Sequence, residues 1–395
     1  MKEAVIVGFL RSPFSRSRPK DPDRDVFNSL SMDELGAMVV NELFNRTGLN
    51  KGDVDEFLTG CALGVAENWM WGGRKIPLLA EFPETVPTKM IDQQCVSSMA
   101  TIHMGAMEIM LGYSNVVVSV GVEHMTHIPM ADNPMLVYND KFFTDPRYAR
   151  YDMSTAVNMG LTAEKLAEQS GISREEMDLW SMRSHQRATQ ARENGFFKEE
   201  ILPIEVKLAD GERVIDSDVS IRPDTNMDGL SGLKTVFKEG GVITAGNSSP
   251  LNAGVSALII MNKDEARKRG MKPLAIIRSM ASAGVDPSIM GQGPIPSSRK
   301  ALEMAGLSVD DIDIWEINEA FSVVTLNAIK VLGIDPEKVN IRGGAIAIGH
   351  PLGATGTRLV GTLARILNLE KKHYGLATAC AGGGQGGATI IERED

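Results

Sequence analysis

The first part of the chain alternates short apolar runs with longer amphipathic segments. Val5–Val7, Glu56–Thr59 and Val116–Val120 are short runs dominated by apolar residues, which predicts strands. Met32–Arg46 and Val96–Gly112 carry apolar residues at helical spacing, which predicts helices with a buried face. This alternation of strand and helix predicts a largely parallel sheet covered by helices.

The same alternation returns in the last third of the chain. Apolar runs and amphipathic segments follow one another from Met271 onward. The predicted strands and helices here are Leu274–Ser279, Pro296–Gly306, Ile312–Ile317, Phe321–Gly333, Gly353–Leu369, Gly375–Ala379 and Ala388–Glu392. The helix and strand in residues 353–379 correspond to those in residues 96–120, which indicates an internal duplication.

A different region separates the two halves. Residues 130–158 contain two prolines and several polar residues and are predicted to be loop-like. Thr162–Ser170 and Ser173–Asn194 are predicted to be helices, the second starting with a capping box formed by Ser173 and Glu176. Residues 213–241 are rich in Asp, Gly and Lys. A flexible linker is the alternative, but two amphipathic helices argue against it.

Composition narrows the class of protein. A length of 395 residues with 43% hydrophobic residues predicts a globular protein of two or three domains. The net charge of −10, from 41 basic and 51 acidic residues, argues against general nucleic-acid binding. A local group of basic residues at the entrance of a binding site could still accept an anionic small ligand. The 22 methionines are interpreted as core residues rather than as ligands for a metal or heme.

Cellular location follows from three further features. Only three cysteines occur in the chain, which favours free thiols in a reducing compartment. The first residues resemble a strand rather than a signal peptide, because the apolar run is short and contains Glu3. No stretch is apolar and long enough to span a bilayer. We therefore expect a cytoplasmic protein.

Cys95 is the first candidate for chemistry. It lies just before the predicted helix, and Ser97 and Ser98 offer capping oxygens at the start of that helix. The positive end of the helix dipole and free N–H groups would favour the thiolate, which is the nucleophilic form. A buried structural cysteine is the alternative for a lone Cys.

A histidine and a second cysteine lie in glycine-rich segments near the C-terminus. His350 stands between Gly349 and Pro351, which places it on a loop because glycine and proline disrupt helices and central strands. Cys380 ends an apolar run, and ligands collect at strand ends of α/β sheets. Two cysteines and a histidine at such positions indicate one reactive site.

Several segments resemble the sequence blocks of the thiolase family. They occur in the family order over essentially the whole chain. The active-site blocks are Gln93–Met99, Asn318–Phe321, Gly349–Pro351 and Cys380–Gly384, and two further blocks are Gly121–Met125 and Thr244–Ser249. Residues 121–130 and 171–185 are most similar to the thiolase subunits of bacterial fatty-acid β-oxidation complexes.

The resemblance implies a fold and a domain arrangement. It implies an α/β protein of two duplicated halves in a five-layered α-β-α-β-α core, with an inserted loop domain over the active site. Residues 1–120 and 245–270 would form the N-terminal half, residues 121–244 the loop domain that holds much of the coenzyme A, and residues 271–395 the C-terminal half.

The resemblance also implies a catalytic role for each matched residue. Cys95 would carry the acyl group as the nucleophile, and His350 would remove its proton. Cys380 would be the acid/base at the α-carbon of acetyl-CoA. His350, with a water held by Asn318, would form one oxyanion site. The backbone N–H groups of Cys95 and Gly382 would form the other.

The contacts with coenzyme A are predicted from the same resemblance. Ser249 matches a serine near the pantetheine, and Met159 matches a residue that lines the channel. Asn158 stands where biosynthetic thiolases tend to have histidine. Arg222 is predicted near the phosphates, with an exposed solvated arginine as the alternative. Coenzyme A would be a co-substrate, with no permanently bound cofactor and no metal.

Three departures from the family pattern leave the catalytic side chains in place. Arg342 stands where the family usually has asparagine before the histidine loop, which puts the order of that loop in question or, as the alternative, marks altered substrate handling. Pro250–Gly254 replaces the usual Gly-Leu-Asn-Asp-Gly segment. Ser98 replaces the glycine of many members, although the β-oxidation branch also has serine there.

These features favour a degradative 3-ketoacyl-CoA thiolase. One alternative is an acetoacetyl-CoA thiolase in a biosynthetic role, and the other is a non-catalytic thiolase-like protein that binds CoA or lipid. The expected partners are acyl-CoA and CoA, without nucleic acid or a membrane span. The resemblance implies a homodimer or homotetramer, and its β-oxidation branch implies docking onto a hydratase/dehydrogenase subunit of a β-oxidation complex.

Overall fold

The computed structural model describes residues 2–209 and 211–394, so the predicted domain ends at residues 1 and 395 lie outside it. Ten of its strands join one central sheet, and β6 and β7 form a separate hairpin. The strands are β1 (Ala4–Arg11), β2 (Ser15–Arg16), β3 (Glu56–Gly60), β4 (Thr88–Ile91), β5 (Val116–His124), β6 (Ile204–Leu208), β7 (Gly211–Ile215), β8 (Asn252–Asn262), β9 (Ala275–Gly284), β10 (Ile314–Ile317), β11 (Tyr374–Ala381) and β12 (Gln385–Glu392).

The helices alternate with these strands in both halves, as predicted. Short 3₁₀ turns lie between several of them. The helices are α1 (Met32–Thr47), α2 (Lys75–Leu79), α3 (Ser97–Leu111), α4 (Lys141–Thr144), α5 (Met153–Ala156), α6 (Met159–Ser170), α7 (Arg174–Glu193), α8 (Met227–Ser231), α9 (Lys263–Lys268), α10 (Pro294–Ala305), α11 (Ser322–Leu332), α12 (Ala345–Ile348) and α13 (Thr355–Leu369).

The sheet is mixed, so the prediction of a largely parallel sheet was wrong. The strand order is β10-β11-β12-β9-β1-β8-β5-β3-β4. Only β3–β4, β3–β5 and β10–β11 are parallel pairs among the described strands. β12 is antiparallel to β11 because a tight turn joins them, and a turn this short cannot make a parallel crossover. The two halves meet where β1 pairs with β9 over two residues.

Apolar side chains pack into three large clusters, which lie between helices and the strands of the two halves and so separate five layers. Buried residues of α3 and α13 share one cluster with inward-facing residues of strands from both halves. A second cluster joins α1 to the opposite face of β1, β5 and β8, and a third joins α10 and α11 to the opposite face of β10, β11 and β12. This is the α-β-α-β-α arrangement that the family resemblance implied.

The two central helices approach each other closely at a glycine. A Cβ atom at Gly356 would lie 2.1 Å from the backbone nitrogen of Met99, well inside van der Waals contact. Any side chain there would separate α13 from α3. This contact also fixes the position of the two loops that precede these helices, and Cys95 and His350 lie on those loops.

The middle region contains more structure than the sequence predicted. Residues 130–158 hold α4, α5 and a 3₁₀ turn rather than loop alone. α6 begins at Met159, because the Asn158 side chain accepts a hydrogen bond from the Leu161 N–H at 3.2 Å. The predicted capping box of Ser173 and Glu176 is confirmed. No helix among the described residues has the length and apolar character needed to cross a membrane.

Candidate active site

Cys95 lies in a 3₁₀ turn (Gln94–Val96) directly before α3. The predicted capping of α3 by serine side chains was wrong. Ser97 instead closes the turn: its hydroxyl accepts from the Gln93 N–H at 2.9 Å and donates to the Gln94 carbonyl at 2.6 Å. The Ser98 hydroxyl accepts from the Thr357 N–H of α13 at 3.0 Å. These serines therefore hold the cysteine turn in place and tie it to the second half.

The electrostatic state of Cys95 also differs from the prediction. Burial is the largest influence and raises the pKa of the thiol to about 12, although the backbone N–H groups of Gly382 and Cys95 itself act in the opposite direction. The donors expected from the helix start are thus present, but they are outweighed by the loss of hydration. Cys95 is a neutral thiol at neutral pH.

His350 is held on the loop between α12 and α13 by backbone and side-chain contacts. Its backbone N–H donates to the Asn252 side chain at 2.7 Å. The preceding Gly349 has φ of +117°, and a Cβ there would lie 2.7 Å from the Asn252 amide nitrogen. Glycine is therefore required beside His350, since another residue would be strained and would collide with Asn252.

One hydrogen bond fixes the tautomer of His350. Nδ1 lies 2.6 Å from Thr355 Oγ1, and this hydroxyl donates its own hydrogen to the Pro351 carbonyl at 2.8 Å. Thr355 must therefore accept from Nδ1–H, which leaves the lone pair on Nε2. Burial and, after it, the positive charge of Arg358 lower the pKa of His350 to about 3. The imidazole is neutral and can act as a base through Nε2.

Asn318 follows β10 and lies against this imidazole. Its side-chain nitrogen is 3.3 Å from His350 Nε2, and its backbone N–H donates to the Thr378 carbonyl of β11 at 2.9 Å. The Asn318 side-chain oxygen is buried and has no hydrogen-bond partner among the described residues. An amide with unused hydrogen-bonding capacity thus faces the same space as the imidazole.

Cys380 and Gly382 complete the group. Cys380 is fully buried near the end of β11, and Gly382 follows it in the turn to β12. Burial raises the pKa of the Cys380 thiol above its ordinary value, and the charge of a Cys95 thiolate would raise it further. The backbone N–H of Gly382 acts on the Cys95 sulfur. Residues from both halves therefore meet at one buried site.

The three predicted CoA contacts differ in position. Met159 begins α6, and its sulfur lies 3.7 Å from where a Cβ of Gly382 would be. Ser249 donates from its hydroxyl to the Ala320 carbonyl at 3.1 Å, directly beside the Asn318 segment. Arg222 is exposed, and its backbone N–H donates to Nδ1 of His185 at 3.2 Å. Met159 and Ser249 thus lie near the catalytic group, whereas Arg222 stays a prediction from resemblance.

The loop before His350 is held by Glu319, although Arg342 stands where the family usually has an asparagine. The carboxylate of Glu319 accepts hydrogen bonds from Trp180 and Ser184 on α7 and from the Asn340 side chain, at 2.7–2.9 Å. Arg342 points elsewhere: its guanidinium pairs with Glu370 and lies over the Phe196 ring at 5.3 Å. Arg342 lines a cavity of about 360 Å³ between α7 and α13 that is separate from Cys95 and His350.

Three residues that hold the site were given no role in the sequence analysis. Thr355 fixes the imidazole, Asn252 holds the His350 backbone, and Glu123 accepts a hydrogen bond from the Gly353 N–H. Thr355 lies five positions after His350 in the same glycine-rich segment, so a hydroxyl at that position was a usable signal. Asn252 and Glu123 are distant in sequence, and only the fold brings them to the loop.

His124 and His127 are engaged in contacts within the protein. His124 and His127 stack with ring centroids 3.6 Å apart, and the nitrogens of His127 contact the Glu67 carboxylate and the Asn28 carbonyl. No group of three His, Cys, Asp or Glu side chains within residues 2–209 and 211–394 could hold a metal ion.

Comparisons with known proteins give matches along nearly the full chain. The sequence family described as "Thiolase, N-terminal domain" matches residues 4–264, and "Thiolase, C-terminal domain" matches residues 271–393. A protein of Cronobacter sakazakii named 3-ketoacyl-CoA thiolase is 42% identical over 399 residues, covering 100% of both chains. A protein of the same name from Marinobacter nauticus is 40% identical, over 99% of this chain and 98% of its own.

Solved structures give the same result. Human mitochondrial 3-ketoacyl-CoA thiolase matches with a TM-score of 0.89 at 33% identity, covering 100% of this chain and 99% of that one. Acetyl-CoA acetyltransferase of Bacillus anthracis matches with a TM-score of 0.88 at 37% identity and the same coverage. The chain belongs to the thiolase family and has the thiolase fold.

Proposed function

We propose that this enzyme is an acyltransferase that cleaves 3-ketoacyl-CoA with CoA, giving acetyl-CoA and a shortened acyl-CoA. The proposal is carried by two buried pairs: Asn318 lies against His350, and Cys95 interacts with both Cys380 and the Gly382 N–H. Relatives named 3-ketoacyl-CoA thiolase at about 40% identity along the whole chain support the same substrate class.

The first half of the reaction uses the neutral cysteine and histidine. His350 Nε2 takes the proton of the Cys95 thiol as the sulfur attacks the 3-keto carbon of the substrate, so the charged pair forms only during bond formation. The oxyanion that develops needs fixed donors. The Asn318 amide beside the imidazole supports one donor site, and the backbone N–H groups of Cys95 and Gly382 support the other.

The second half returns the cysteine to its free form. The bond between C2 and C3 breaks, the acyl group remains on Cys95, and Cys380 gives a proton to the acetyl-CoA carbanion. The proton that His350 took from Cys95 passes to the Cys380 thiolate, so that the imidazole is a base again. The thiol of free CoA then attacks the acyl-cysteine, His350 takes the proton of that thiol, and the departing Cys95 sulfur receives it, which leaves the enzyme unchanged. Coenzyme A is thus a co-substrate, and no permanently bound cofactor is required.

Replacing Cys380 by serine tests this division of roles. We expect Cys380→Ser to lower the rate of carbon–carbon bond cleavage by about 10²–10⁴-fold, because a hydroxyl is too weak an acid to replace a thiol in proton transfer. Acetylation of Cys95 by acetyl-CoA needs no proton at the α-carbon and should continue. Steady-state thiolysis and incorporation of labelled acetyl groups measure the two steps separately. Equal losses in both would contradict the assignment.

Substrate range is tested by comparing acetoacetyl-CoA with 3-ketohexadecanoyl-CoA in a CoA-dependent cleavage assay. The proposal predicts cleavage of both, with substantial activity on the longer substrate. Activity on acetoacetyl-CoA alone would identify an acetoacetyl-CoA thiolase. Folded protein that binds CoA but cleaves neither would be a non-catalytic binding protein.

The proposal extends to CoA contacts, assembly and location. Met159 and Ser249 would line the CoA channel and Arg222 would approach the phosphates, with residues 121–244 forming the loop domain. A solved human thiolase complex with CoA, 32% identical to this chain, supports CoA as the ligand. We further propose a homodimer or homotetramer in the cytoplasm, with a hydratase/dehydrogenase subunit as a possible partner of the assembly.

A further inference from the structure

Glu123 is a buried carboxylate for which the reaction gives no role. It lies at the penultimate position of β5 and is fully inaccessible to solvent. Within residues 2–209 and 211–394 it forms no ion pair with lysine, arginine or histidine. A buried carboxylate without a cation is costly unless hydrogen-bond donors surround it. The neighbours of Glu123 therefore indicate why it is retained.

Four donors surround the two carboxylate oxygens. Oε2 accepts from the backbone N–H groups of Ala62 at 2.9 Å and Gly353 at 3.0 Å. Oε1 accepts from the Leu63 N–H at 3.3 Å and from the Cys61 thiol at 3.7 Å. Every neighbour donates, so only the ionised carboxylate satisfies all of them. Burial raises the pKa of Glu123 to about 7 and the three N–H bonds oppose this rise, so the carboxylate predominates at pH 8.

The donors to Glu123 lie on two sides of the site: residues 61–63 lie on the side of Cys95, and Gly353 lies on the side of His350. Ala62 follows β3, and its carbonyl accepts from the side chain of Gln94, the residue before Cys95, at 3.4 Å. Gly353 ends the turn that begins at His350 and lies two residues before Thr355. A Cβ at Gly353 would lie 2.3 Å from the Val122 carbonyl, so this turn packs directly on β5. The Glu123 carboxylate therefore joins residues 61–63, on the side of Cys95, to the turn 350–353.

We propose that Glu123 is a positioning residue: its carboxylate holds the turn 350–353 against the segment 61–63 and so sets the place of His350 relative to Cys95. The inference deepens the proposed function and rests on it for its kinetic consequence. Its structural consequence, the order of the histidine turn, does not depend on any activity.

Glu123→Gln is the direct test at pH 8. The glutamine amide keeps the shape but turns one oxygen into an N–H₂ donor, which must face Gly353 and Ala62 or face Leu63. We expect kcat for thiolysis to fall about 10- to 100-fold while KM for CoA changes less than about twofold, because CoA contacts are not touched. Hydrogen exchange should accelerate in residues 349–357 and not in the second half of α13.

Two control variants separate positioning from general destabilisation. Glu56→Gln removes another buried carboxylate, at the start of β3, whose partner is the exposed Lys89 side chain at 2.7 Å. It should lower thermal stability without changing kcat by more than about twofold. Cys61→Ala removes only the weak thiol donor and should also keep kcat within about twofold. If Glu123→Gln does not fold, Glu123→Asp takes its place, because it keeps the charge with a shorter reach. It should lower kcat by about 3- to 10-fold relative to the wild type and accelerate hydrogen exchange in residues 349–357.

The outcomes are distinguishable. Unchanged kcat in Glu123→Gln, or a loss of kcat without faster exchange in residues 349–357, would overturn the positioning role. Uniformly faster exchange throughout the protein would also overturn it. Inactive wild-type protein would contradict the proposed function instead, and the exchange comparison would still decide the role of Glu123.

Discussion

Replacing Cys95 by alanine should lower thiolysis of 3-ketoacyl-CoA by at least about 10³-fold, because the sulfur that carries the acyl group is removed. The side chain is buried and small, so the fold should persist: loss of one buried sulfur costs about 1–2 kcal/mol of stability. The measurement is the initial rate of acetyl-CoA release under saturating CoA, with circular dichroism to verify folding.

Cys61→Ala is the matched control for this experiment. Cys61 is also buried and its thiol also has a raised pKa, but it directly follows β3 and has Glu123 as its neighbour. Removal of this thiol should leave the rate within about twofold of the wild type. A Cys95→Ala variant that keeps more than a tenth of wild-type activity would contradict the nucleophile assignment.

Replacing His350 by glutamine should slow transfer of the acyl group to Cys95 by about 10²–10⁴-fold, because the variant lacks the base that we assign to the proton of a thiol whose pKa is near 12. Burial lowers the pKa of His350 to about 3. The imidazole is therefore already neutral at pH 5, and protonation of His350 in the free enzyme should not reduce kcat/KM until the pH approaches 3. The rate at which acetyl-CoA acylates Cys95 before the steady state measures the acyl transfer that His350→Gln should slow.

The variant should also change how the reactivity of Cys95 depends on pH. In the wild-type enzyme the Cys95 thiol is neutral at pH 7. In His350→Gln, alkylation of this thiol by iodoacetamide should increase steadily with pH up to about 12. Thr355→Val is a suitable companion, since it keeps His350 but removes the oxygen that holds Nδ1. A His350→Gln enzyme acylated at the wild-type rate would disprove the base assignment.

The sequence marks Cys95, His350 and Cys380 as candidates for catalysis because each stands in a short, distinctive segment. Cys95, His350 and Cys380 are flanked by glycine, proline or helix-start residues, and their chemistry can be recognised locally. The alternating elements of both halves were predicted for the same reason. The mixed character of the sheet was not, because the pairing of β8, β9 and β12 depends on tertiary contacts between distant segments.

Protonation states and supporting contacts were the parts that sequence could not supply. A helix start favours a thiolate, but the depth of burial of Cys95 decides the balance, and burial is a property of the folded chain. Glu123 and Asn252 act on a loop more than 90 positions away from either in sequence. The sequence left the order of the histidine loop in question because of Arg342, whereas the structure shows that Glu319 and Asn340 hold that loop and that Arg342 faces away from it.

The central claim is that Cys95 carries the acyl group, and trapping that group tests it most directly. Wild-type enzyme incubated with acetyl-CoA, quenched in acid and digested should show one acetyl group on the peptide that contains Cys95, and added CoA should remove it before the quench. An acetyl group on a different residue, or no acetylated peptide in an enzyme that turns over, would contradict the account.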